Sequence, residues 1–156
     1  MSDKASIIGE LEQKYVDFRE LIVNLPPEAY REVWLGEWSV NELLAHMAGW
    51  YREIAPAFAR VARGERPAPE GADYGNADPW NATFAAEPKD GLAALDDFDE
   101  AFHEYYAAAK GLDDQYYGID PEKGRPRIGN RLLDGAGIHH FDEHRRQLEE
   151  WLRSRA

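Results

Sequence analysis

The chain has no cysteine among its 156 residues. Disulfides, cysteine-ligated zinc, iron–sulfur clusters and a cysteine nucleophile are excluded at once. If a reaction here uses a thiol, a small molecule has to bring it. Positive charge is scarce as well: 18 Lys and Arg stand against 30 Asp and Glu, a formal net charge of −12. So acidic a surface repels phosphate backbones, and nucleic-acid binding would need a local basic patch. The nearest approach to one, Arg125 to Arg131, holds three arginines interrupted by Pro126 and Gly129, and reads as a loop. Long apolar runs are missing too. The opening Met-Ser-Asp-Lys-Ala-Ser lacks the apolar core of a signal peptide, and no stretch approaches the length that crosses a bilayer. The expected location is the cytoplasm, with neither nucleic acid nor membrane as partner. No segment alternates as a half-buried strand does, and there is no internal repeat.

What is present is enough for one core. With 44% hydrophobic and 12% aromatic residues, five of them tryptophan, a single domain spanning 1–156 is expected. From Ile8 the apolar residues Ile8, Leu11, Tyr15, Phe18, Ile22 and Leu25 recur every three or four positions, a helical stripe that Pro26-Pro27 stops. A single turn follows through Tyr30. Ser39-Val40-Asn41-Glu42 has the form of a capping box and opens a second long helix. Its stripe is Leu43, Met47, Trp50, Ile54, Ala57 and Val61, with Pro56 inside it. Residues 65–78 read as a loop. Asp78-Pro79 then starts a short, lid-like helix through Glu87, with Asp78 as its N-cap. A third long helix spans about Lys89 to Lys110 with Leu92, Leu95, Phe98, Phe102, Tyr105 and Ala109 inward. After a loop of about fifteen residues the last helix spans about Ile128 to Arg153. The fold class is all-α: a four-helix bundle with a short extra helix and long loops. Such bundles build metal sites from facing helices.

Three histidines concentrate the chemical interest. His140 and His144 lie four apart, on one side of the last helix with Leu133, Gly137, Leu148 and Trp151 and with Phe141 at the edge. His46, at the rim of the second helix's stripe, is placed to meet them. Three imidazoles from two helices leave coordination positions open, the pattern of a reactive metal centre. Gly135 and Gly137 cost about 1 kcal/mol each against alanine, which points to close approach by a helix or a ligand. Gly49 leaves space beside His46. His139 points away from His140 and reads as a surface residue, and His103 as a solvated one. His140-Phe141-Asp142-Glu143-His144 is not the zinc-peptidase motif, because no glutamate directly follows the first histidine. The plainer alternative is that the histidines are buried groups satisfied by hydrogen bonds.

The run Trp38-Ser39-Val40-Asn41-Glu42-Leu43-Leu44-Ala45-His46-Met47-Ala48-Gly49-Trp50 resembles the second-helix signature of the DinB-like (damage-inducible, YfiT-type) metalloproteins. His140-x-x-x-His144 followed by Gln147-Leu148 resembles their C-terminal motif. The resemblance implies a four-helix bundle with a divalent metal, zinc or nickel, on His46, His140 and His144. It also implies a stress-response setting and relatives that include low-molecular-weight-thiol transferases. Asp78-Pro79-Trp80-Asn81 is similar to a subgroup around the colibactin self-protection cyclopropane hydrolase. That relative replaces the second-helix histidine by tyrosine, so the likeness speaks for fold and pocket more than for its chemistry.

The expected function is that of a metal-dependent enzyme, a hydrolase or a small-thiol S-transferase acting on an electrophilic small molecule. Its pocket is expected between Trp50, Glu53, Trp80 and Phe141, with Glu53 or Glu42 as base or supporting carboxylate. The alternatives are a metal-free protein of the same fold that binds or sequesters a small molecule, and a purely structural bundle. A homodimer is compatible with each.

Overall fold

Residues spaced three and four apart fall inward along every long helix of the computed structural model, which describes residues 2–155. The elements, in order, are α1 (Asp3–Ile22), α2 (Pro27–Arg31), α3 (Val40–Ala62), α4 (Asp78–Ala85), α5 (Leu92–Gly111), α6 (Ile128–Leu133) and α7 (His139–Arg155). The chain is a helical bundle of α1, α3, α5 and the α6–α7 run, with α3 against α5 its most extensive contact. All six predicted positions of the α3 stripe are buried. Glu42 caps α3 by accepting hydrogen bonds from both the backbone N–H and the hydroxyl of Ser39. Its carboxylate is thereby committed to the helix end.

The core is aromatic. Tyr15 stacks on Phe102 with ring centroids 4.0 Å apart, and Phe18, Tyr51, Phe98, Tyr105 and Phe141 pack around them. Burying each ring stabilises the fold by about 1.5–3 kcal/mol before the ordering cost. Asp99 of α5 ties in α1: it accepts from the Tyr15 hydroxyl at 2.6 Å and from Arg19 Nε at 3.1 Å. Between α2 and α3, Trp34 stacks on Trp151 at 4.7 Å, which fastens the connection to the end of α7.

Four expectations need correction. Leu92, predicted inward, is 68% exposed. At about 100° per residue it stands some 120° around α5 from Phe98, the middle of the buried arc. Asp78 is the first residue of α4 and Ala77 the cap, so the Asp78 carboxylate meets the helix dipole from within the first turn. The loop after α5 contains a 3₁₀ turn, Asp114–Tyr116, and a two-residue antiparallel pair, β1 (Ile119–Asp120) with β2 (Arg125–Pro126). Strands so short show no alternation. Finally, the last helix is interrupted: Asp134–Ile138 is a π turn between α6 and α7.

The π turn is built from Gly135 and Gly137 and pinned from outside. A Cβ on Gly137 would lie 2.7 Å from Leu11 Cδ1 and 3.0 Å from the Tyr105 hydroxyl, so α1 and α5 approach closer than alanine permits. The Tyr105 hydroxyl donates to the Leu132 carbonyl at 2.6 Å. Such turns break the regular hydrogen-bond ladder and occur often at functional sites. This one delivers His140 and His144 at the start of α7.

Candidate metal centre

His46 sits in the second turn of α3, and His140 and His144 in the first turns of α7. The structure brings all three together: one ligating nitrogen from each lies within 4.8 Å of the others. Nε2 of His46 and Nε2 of His140 are 3.1 Å apart. Imidazoles bound to one tetrahedral zinc at the usual bond length hold their nitrogens about 3.3 Å apart, so this pair is already at coordination spacing. Gln147 offers its side-chain oxygen 2.8 Å from His144 Nδ1, which makes Nδ1 the donor. The lone pair of His144 then resides on Nε2, which is buried and has no partner. Nδ1 of His46 is also buried without a partner among the described residues, while the His140 ring is turned to the Ala136 backbone one turn earlier. Trp38 packs over the His46 ring at 4.9 Å and closes that side.

Burial pushes the His46 imidazole down to about 3, and the neighbouring His140 and His144 add to the effect. His140 is likewise lowered to about 3, by burial first and then by His144. His144 is lowered by burial. At neutral pH the cluster is therefore three uncharged rings with lone pairs to give. Buried polar atoms are ordinarily satisfied, and the orphaned Nε2 of His144, in a cluster with the Nε2 pair of His46 and His140, calls for an ion or ligand. Three neutral imidazoles are a donor set that suits a borderline divalent cation.

A cavity of about 460 Å³ reaches His140 from solvent. Trp50, Ile54, Tyr74, Ala136, Leu132 and Asn81 are among its walls, with Arg131, His139 and Glu143 toward the rim. Its size and largely apolar lining are those of a small-molecule site. The 65–77 loop and α4 form one side. Trp50 Nε1 donates to Asn81 Oδ1 at 2.7 Å, and the Tyr74 hydroxyl donates to Glu53 Oε2 at 2.6 Å.

Of the predicted pocket residues, Trp50 lines the cavity. Trp80 stands behind its wall, 6.0 Å from Trp50 and 5.2 Å from Tyr74 between ring centroids. Glu53 holds the Tyr74 hydroxyl. Phe141 is corrected: it is 1% exposed and belongs to the aromatic core, because the residue after His140 turns about 100° toward α1 and α5. The space at Gly49 is filled by Phe84 of α4, not by a ligand. His103 is exposed, with Nδ1 against the Asp99 carbonyl, outside the cluster. Sequence reasoning missed Tyr74, Asn81, Arg131 and Glu143. The Trp-Asn pair was the one signal for Asn81, while loop residue Tyr74 carried none.

In sequence, the DinB superfamily profile matches residues 10–148. No curated protein matches the chain. Solved structures share the fold. A Streptococcus pneumoniae protein superposes with a TM-score of 0.77 at 12% identity, over 98% of this chain and 92% of its own. An uncharacterised protein of Clostridium difficile 630 gives 0.75 at 12% identity, covering 96% and 95%. One from Escherichia coli UTI89 gives 0.74 at 15% identity, covering 97% and 94%. With a profile match across most of its length and a buried three-histidine group that fits a metal ion, the chain belongs to the DinB superfamily.

Proposed function

We propose that the protein holds a divalent metal ion, zinc or nickel, on His46, His140 and His144 and acts as a hydrolase or small-thiol S-transferase on an electrophilic small molecule. One observation carries the reading: three uncharged imidazoles, those of His46 and His144 buried and that of His140 half-buried, converge beside a cavity of about 460 Å³, with His144 Nε2 left without a hydrogen-bond partner among the described residues. A metal ion bound there would supply a Lewis acid and make a water or thiol acidic enough to lose its proton near neutral pH. The absence of cysteine assigns any thiol to a co-substrate.

The chain's own residues supply the rest. Trp50, Ile54, Leu132 and Ala136 exclude water and give an apolar body its contact area. Asn81 orients Trp50, and Glu53 holds Tyr74 and with it the loop wall. Gln147 fixes the His144 tautomer, as a hydrogen-bond partner behind a metal-binding histidine does. With Glu42 committed to the α3 cap, Glu143 is the carboxylate that lines the cavity, and it is the base we assign for taking the nucleophile's proton.

The experiment has two steps. Tag-free protein prepared without chelators is analysed for metal, then offered electrophiles with and without small thiols. The reading expects stoichiometric metal, turnover in one of the two conditions, and loss of both in His144→Ala. No stoichiometric metal after incubation with zinc and nickel would overturn the metal site. Thermal stabilisation by a ligand that is never turned over would make the protein a binding or sequestering module instead.

A further inference from the structure

Arg131 stands in the wall of the histidine cavity and also in that of a second cleft, of about 220 Å³, formed by the β1–β2 hairpin and the start of α6. Lys123, Arg125, Arg127 and Arg131 all line this cleft, with Tyr116 and Asp120. In a chain with 18 basic residues and a net charge of −12, four cations around one small cleft are an unusual concentration. Nine other Lys and Arg residues are in ion pairs with carboxylates. None of these four is, among the described residues, although acids outnumber bases. Arg127 donates to the Tyr117 carbonyl at 3.0 Å, and among the described residues the side chains of Lys123, Arg125 and Arg131 make no hydrogen bond.

The one carboxylate lining the cleft, Asp120, offsets only part of their charge. Asp120 Oδ1 is turned to its own chain, accepting from the amides of Glu122 at 2.9 Å and Lys123 at 3.3 Å. The cleft is also held in shape. Asn130 of α6 accepts from the Gly118 amide at 3.0 Å, the Arg127 amide donates to Gly118 O at 2.8 Å, and the Gly124 amide to Asp120 O at 2.7 Å. Four cations against one carboxylate leave a net positive charge whose members repel one another, and an anion relieves that repulsion. A volume of about 220 Å³ is below that of a whole small-molecule site and suits one charged group.

We propose that this cleft binds an oxyanion, a phosphate or carboxylate group, and that it seats the anionic end of the molecule whose reactive end enters the histidine cavity. The second half rests on the proposed function; the first does not. The cleft's place beside the cavity, with Arg131 common to both, makes the substrate class an anionic electrophile or an anionic thiol.

Metal-free, ¹⁵N-labelled protein is titrated at low salt with inorganic phosphate and, separately, with succinate, following amide shifts. Saturable shifts confined to residues 116–131 are expected, and the better of the two ligands identifies the oxyanion. Arg125→Gln and Lys123→Gln, both at exposed positions whose side chains make no bond, should each raise Kd about fivefold with an unchanged melting temperature. Shifts that never saturate, or that spread over the surface and ignore both substitutions, mean an adventitious ion only and overturn the site. Because no metal is present, the titration can fail while metal binding succeeds, or the reverse. In the turnover assay Arg125→Gln should raise KM for anion-bearing electrophiles and leave uncharged ones unchanged. An equal effect on both would detach the cleft from the substrate.

Discussion

Gly49→Ala should destabilise this protein although it replaces glycine by the best helix former in the middle of a long helix. The new Cβ would lie 2.2 Å from Phe84 Cγ, 2.4 Å from Cδ1 and 2.6 Å from Cβ. The closest approach falls 1.2 Å short of the 3.4 Å at which ordinary contact begins. Because the Phe84 Cβ is among the clashing atoms, turning the ring about its own bonds does not clear them, and α4 has to move. Overpacking costs about 1–3 kcal/mol, and a clash this deep with three atoms takes the upper part of that range, about 2–3 kcal/mol. Removing a helix-interior glycine returns about 1 kcal/mol. The net loss is then about 1–2 kcal/mol, or a melting temperature lower by about 2–8 °C for a chain of this length.

The decisive comparison is a double-mutant cycle. With the ring gone, in Phe84→Ala, the same Gly49→Ala change should stabilise by about 1 kcal/mol, so its sign reverses and the coupling is about 2–3 kcal/mol. Urea unfolding of the four proteins measures it. Trp50, which donates to Asn81 of α4, should report the displacement of α4 by a changed emission spectrum in Gly49→Ala. If Gly49→Ala stabilises the parent by as much as it stabilises Phe84→Ala, the close α3–α4 packing argued for this wall of the cavity is wrong.

Two fully buried tyrosines offer a matched contrast. Tyr105→Phe leaves the Leu132 carbonyl without its 2.6 Å donor and should cost about 1–3 kcal/mol, while Tyr51→Phe removes a buried hydroxyl that has no partner and should be neutral or stabilising; thermal melts that rank them the other way refute the reading of the π turn as pinned by Tyr105. Metal-free protein should lose stability as pH falls from about 6.5 toward 3. The folded His46 and His140 titrate near 3, below their unfolded value, so protons bind the unfolded state first, and each contributes a slope of about 1.4 kcal/mol per pH unit in that window; urea midpoints that are flat across it contradict the burial of the cluster. Tyr74→Phe cuts the loop's tie to Glu53 and should speed cleavage after Glu70 by a glutamate-specific protease, with little change in global stability.

How much was legible in the sequence follows from what periodicity can carry. Spacing of three and four identified α1, α3 and α5 and every buried residue of α1, since one repeating geometry produces both the helix and its stripe, but α3 buries a wider arc that adds Leu44, Tyr51 and Phe58. It also put His140 and His144 on one flank. The π turn escaped, because one extra residue in a turn leaves little mark on a wheel, and Gly135 with Gly137 was the trace it left. Phe141 was assigned to the wrong neighbours for a related reason: a wheel gives a direction, not what stands there. Tyr74 and Glu143 face the cavity only because a loop folds back and a helix shifts phase, and neither event has a local signature. The basic run Arg125–Arg131 read as a loop, and it is one, yet the fold of that loop gathers its cations with Lys123.

The most direct test of the central claim is the metal's own X-ray absorption spectrum after loading with one equivalent of zinc. Three imidazole nitrogens at about 2.0–2.1 Å are expected, falling to fewer in His46→Ala and His144→Ala. An ion held in substoichiometric amount, or by fewer than three imidazoles in the unaltered protein, would contradict it.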